Sequence, residues 1–159
     1  MRKLLGLVAT AAALLVLAVP ASADNGANAI SFTQTINNQT IVFPVTPLCG
    51  LPASILTAQV NAVFHGTILT SGVGAGTSWF TSTQTGFFTA VPTDGSLATF
   101  SGHFAVWFGD NNNLKNGTMA ANINVQAVND LTGATVNVNF VEHISVSATG
   151  QVTFFFACN

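Results

Sequence analysis

Three histidines and one glutamate are the residues whose types and placement could do chemistry. His65, His103 and His143 each sit inside an alternating stretch, on its more polar parity. Three imidazoles around an open fourth position would suit a catalytic zinc ion. That requires the polar parity to line an interior. If it faces solvent, the rings stand two strands apart, about 10 Å, and share no metal. Small soluble barrels put the apolar parity inside. The expectation is therefore three separate surface or rim histidines, with zinc as the alternative and no other cofactor implied.

Glu142 breaks its own pattern, because it lies between Phe140 and Ile144 on the apolar parity. A carboxyl there is either buried with a raised pKa or carried outward by a bulge. The more ordinary outcome is a bulge or strand-end position with a local hydrogen bond. Were it buried, Glu142 with Phe104 and Phe140 would form the anchor and wall of an apolar ligand site. His143 follows directly but points to the opposite face, so the two are no acid–base pair.

Other chemistry finds little support. No G-x-S-x-G elbow is present, and no second carboxyl shares a face with Glu142 as a glycosidase pair would. Asp110-Asn111-Asn112-Asn113 fails the calcium-loop spacing, with Leu114 at the fifth position and Ala121 at the twelfth. The glycines between Ser71 and Gly76 lead into another strand rather than a helix, so they read as a hairpin connection and not a phosphate loop.

The elements that would position these residues are strands. Leu97–Phe108 alternates cleanly, with Ala98, Phe100, Gly102, Phe104, Val106 and Phe108 on one side. Similar alternation marks Ala29–Ile36, Gln39–Val45, Thr57–Thr70, Ser78–Val91, Thr118–Val128, Ala134–Ser147 and Val152–Phe156. Asn37-Asn38, Thr93–Ser96, Gly109–Asn113, Asn116-Gly117 and Thr149-Gly150 read as turns. Pro44 marks its strand as an edge, or ends it. No stretch after the N-terminal segment carries a helical apolar stripe. About eight strands joined by short links imply antiparallel neighbours. The predicted fold is all-β, an antiparallel up-and-down barrel, with a two-sheet β-sandwich as the alternative.

The N-terminal segment reads as a secretory signal: Arg2 and Lys3, an apolar run from Leu4 to Val19, then Ala21-Ser22-Ala23. Cleavage after Ala23 leaves a single domain, residues 24–159, of about 136 residues. Its one lysine, Lys115, stands against Asp24, Asp94, Asp110, Asp130 and Glu142, a net charge of about −4. So anionic a chain has no basic patch for nucleic acid or for an anionic lipid surface. Without Tyr and with two Trp, it also lacks the aromatic girdles of an outer-membrane barrel. Cys49 and Cys158, an even pair in an exported chain with no C-x-x-C, read as one disulfide.

Gly102-His103-Phe104 through Trp107-Phe108-Gly109-Asp110-Asn111, then Asn116-Gly117, then Glu142-His143 to Thr149-Gly150, resemble stretches of small exported bacterial all-β proteins of unassigned function. The resemblance spans the C-terminal half and implies export and a β fold. From the residues themselves, the leading functional expectation is a secreted protein binding a small apolar molecule. It rests on thirteen Phe residues and on small residues, Ala58, Ala62, Gly66, Ala98 and Gly102, along the inward parity. A structural or self-associating surface protein, suggested by the low charge and Thr/Asn surface, is the alternative. An enzyme using the histidines, Glu142 or a metal comes third.

Overall fold

The computed structural model describes residues 29–159 except 73, 96, 97 and 114; the signal segment lies outside the described residues. Seven strands follow one another: β1 Ala29–Val45, β2 Ser54–Leu69, β3 Ser78–Pro92, β4 Phe100–Asn112, β5 Gly117–Asn129, β6 Thr135–Val146 and β7 Val152–Cys158. They form one sheet in the order of the chain, every neighbour antiparallel. The all-β, up-and-down reading holds.

Alternation explains the core. The apolar parity of β2 places Ala58, Val60, Ala62 and Phe64 inside, and Phe88, Ala90 and Ala127 from β3 and β5 pack with them. The opposite parity of β3 carries Thr81, Thr83, Thr85 and Thr89 to solvent. Burying one face of the sheet is what fixes this register, because a one-residue slip would exchange the two faces.

Three expectations are corrected. Ala29–Ile36 and Gln39–Val45 are one strand, so the count is seven and not eight. Asn37 and Asn38 form a bulge where the register shifts, with Asn38 at φ 50°, and β2 is long enough to pair with both halves. The strand expected over Leu97–Phe108 begins at Phe100, leaving Ala98 outside it, and continues through Gly109–Asn112, which pair with Ser78–Thr81 and with Gly117–Ala120. The turn lies further on, where the Asn113 side chain accepts hydrogen bonds from the backbone N–H groups of Lys115 and Asn116 at 2.9 and 2.7 Å. Finally, no ladder joins β1 to β7, so the sheet is not closed into a barrel. Pro44 does lie on an edge strand, as its missing N–H requires.

The sheet is nevertheless curled. Glycines permit the close approach this needs. A Cβ on Gly86 would stand 2.0 Å from the Gln59 carbonyl oxygen, and one on Gly102 would stand 2.0 Å from that of Gln126. Gly86 pairs with Phe104, and Gly102 with Phe88, so the two kinks are diagonal neighbours on β3 and β4. Near the β1 edge the ring of Phe32 lies over Gly66, its cross-strand partner, and fills the missing side chain's place. Cys49, in the loop leaving β1, is disulfide-bonded to Cys158 at the end of β7, with the Cα atoms 5.7 Å apart. The bond joins the exits of the two edge strands.

Candidate functional site

Curling gathers the apolar parity of all seven strands around one cavity of about 250 Å³. Ala58, Val60 and Phe64 of β2 face it, with Phe88 and Ala90 of β3 and Phe104, Val106 and Phe108 of β4. Ile123 and Val125 of β5, Phe140 of β6 and Phe154 and Phe156 of β7 complete the circuit toward Ile41 and Phe43 of β1. The loop after β1 folds back on itself through Leu48 and Leu51, whose backbones bond each other at 2.8 and 3.1 Å. Leu48, Leu51 and Pro52 from this loop also line the cavity. Burial falls off toward the β7 edge, where Phe154 is half exposed. Small side chains, Ala58, Ala90 and Ala121 among them, keep the space open where larger ones would fill it.

Glu142 faces this cavity and is only 7% exposed. The register through it is continuous, with Ala121 on one side and Phe156 on the other. The expected bulge is therefore absent, and the side chain is buried in line with its apolar neighbours. Burial pushes the Glu142 carboxyl above the ordinary carboxylate range, since the desolvated charge is disfavoured. Phe104 and Phe140 share the lining with it, so the three residues expected to act together are together.

Further polar residues of the lining, Thr46 and Ser54 as well as two on β3, were missed from the sequence. Ser82 and Gln84 of β3 also line the cavity, the Gln84 side-chain amide donating to the Ser82 hydroxyl at 3.4 Å. The signal was available: both sit on the parity of Phe80, Phe88 and Ala90, the same break that exposed Glu142. Asp110, on the inward parity of β4 between Phe80 and Met119, is likewise raised by burial and partly lowered by the Asn111 backbone.

The histidines stand elsewhere. All three are exposed and lie on the face opposite the cavity. His65 Nδ1 is 2.9 Å from the Thr33 hydroxyl. His103 pairs across the ladder with Phe87 and Gln126, and His143 with Ala120 and Phe155. One strand intervenes between β2 and β4, and another between β4 and β6. The inward convergence that a shared zinc required is not what the fold provides. Among the described residues no group of three or more His, Cys, Asp or Glu side chains is placed to hold a metal ion.

No family model, curated protein or solved structure matches the chain. The cavity's own chemistry must therefore carry the functional reading.

Proposed function

We propose that the protein is a secreted binder of small apolar molecules. The observation that carries this reading is a cavity lined from every strand, apolar apart from a few polar side chains, with Glu142 set into its wall. Ligand pockets have this make-up: a mostly apolar lining with a small number of placed polar groups. In this reading the curled sheet acts as a barrel whose seam is fastened by the Cys49–Cys158 bond in place of a ladder. The disulfide suits an oxidising, extracytoplasmic compartment. Among the described residues no helix is long and apolar enough to cross a membrane.

The test is titration with Nile red, a neutral apolar fluorophore. Saturable binding near one dye per chain is expected. Ala121→Phe, which fills space beside Glu142, should abolish it while the circular dichroism spectrum stays that of the native sheet. Non-saturating fluorescence, or full binding by the filled variant, would remove the cavity as the site.

Self-association is the second reading. The outer edge of β1, Ala29–Val45, pairs with no described strand, and such an edge can template pairing with another chain. Pro44 and the bulge at Asn37-Asn38 blunt it. Sedimentation showing one monomeric species at high concentration would leave the binding reading alone.

A further inference from the structure

Glu142 has an apolar setting and no hydrogen-bond partner among the described residues. It is more than nine-tenths buried, faces the cavity, and forms no bond with Ser82 or Gln84, which bond each other. Ser54, another polar residue of the lining, directs its hydroxyl to the Pro52 carbonyl at 3.0 Å. The carboxyl of Glu142 is thus an acidic acceptor in the cavity wall with no protein donor among the described residues. Its oxygens open onto the cavity space, where a ligand donor can reach them.

The charges around the cavity narrow the donor. No Lys, Arg or His is among the described residues that line it. His65, His103 and His143 are on the outer face, and Lys115 is exposed in the turn after β4. The other acid on the inward parity, Asp110, is not among the described residues that line the cavity. A ligand with a carboxylate head would place like charges together in a medium that screens them poorly. A protonated amine would instead make a charge-assisted hydrogen bond to the carboxylate. Its apolar part would lie along Phe104, Phe140, Phe156 and Ile123, which share the lining with Glu142.

Resting on the proposed cavity, we propose that the site selects apolar amines, with Glu142 binding the ammonium head and the phenylalanine wall binding the tail. The preference is a difference between head groups on one tail, so it is measured by competition. Nile red is displaced at pH 7.5 by decylamine and by decanoate, both below their micelle concentrations. Decylamine is expected to displace the dye at roughly tenfold lower concentration or better, as a charge-assisted bond against like-charge repulsion implies. In Glu142→Gln the displacement by the two competitors should converge, each referred to the affinity of Nile red for that variant.

Glu142 is the only glutamate in the sequence, which gives a readout without a variant. In native protein carrying ¹³C-carboxyl glutamate, saturating decylamine should lower the pH at which the single Glu142 resonance titrates, and decanoate should not. Equal displacement by the two competitors would overturn the proposal, as would an amine preference that survives in Glu142→Gln or a Glu142 titration unshifted by saturating decylamine. Failure of Nile red to bind at all would remove the cavity reading itself, and this inference with it. Dye binding without head-group preference would remove this inference alone.

Discussion

At neutral pH a carboxyl set between Ala121 and Phe156 and beside Phe140 is costly to ionise, because burial among apolar side chains desolvates the charge and the described lining offers no counter-charge. The folded state therefore holds the Glu142 proton more tightly than the unfolded chain, whose value is the ordinary 4.5. With the pKa raised on folding, the stability linked to that proton is full below the unfolded value and is lost as pH rises through the folded one. Replacing the group by an uncharged isostere removes the penalty only where it exists. Glu142→Gln is expected to be more stable than the native chain at pH 8, by about 1.4 kcal/mol for each tenfold change in proton affinity. The gain should vanish by pH 4. Asp110 is raised in the same direction but is common to both proteins, so it cancels in the difference. Urea midpoints at the two pH values decide the matter, and a gain of equal size at both would mean that packing, not charge, is responsible. The position was legible in the sequence because Glu142 violates a period-2 pattern. Its fate was not, since bulge and burial produce the same violation, and only the uninterrupted pairing of Ala121, Glu142 and Phe156 separates them.

Among the elements, β4 shows most clearly how the curl is made. Gly102 is on the inward parity, and its neighbour across the ladder approaches so closely that a methyl group has no room beside the Gln126 carbonyl. Backbone cannot yield as a flexible side chain can. Gly102→Ala should therefore cost about 1–3 kcal/mol, typical of overpacking. Gly133→Ala is a useful contrast: space there is open, and its cost would come from the positive φ of 71° alone. Chemical denaturation of the two variants should show wider spectral change in the β-sheet region for Gly102→Ala. An unperturbed, fully stable Gly102→Ala would mean the curl does not depend on that contact. Strand existence was readable nearly throughout, since one buried face imposes alternation. Strand ends were less so. Asn37-Asn38 and Gly109–Asn112 have the composition of turns, yet each is held in the sheet by a partner: β2 spans both halves of β1, and β3 and β5 extend far enough to pair the end of β4. Turn residues report what the backbone tolerates; the length of the neighbouring strand decides whether the chain turns.

The whole molecule poses a closure problem that its strand number creates. In an up-and-down sheet of seven, the first and last strands run the same way. A ladder between them would be parallel, unlike every other pairing in the sheet. It also means that β1 and β7 end toward the same rim, and the disulfide joins them there. The cross-link spans a sequence separation of 109, so it restricts the unfolded chain strongly as well as fastening the seam. Cys49→Ser with Cys158→Ser should lower stability by roughly 2–4 kcal/mol. A purely entropic role would stop at that cost and leave the native cavity unchanged. The geometry demands more. Leu48, Leu51 and Pro52 flank the bonded Cys49, while Phe154 and Phe156 precede the bonded Cys158, so the same bond holds one wall of the cavity against another. Nile red affinity should consequently fall at least about tenfold in the double variant under conditions where it is still folded, a loss of about 1.4 kcal/mol in binding. Matched affinity with lowered stability would show that the walls stand without the clasp. Lost affinity would make oxidation of this one cysteine pair a condition for the site to exist, which ties the cavity to the same compartment that the disulfide requires.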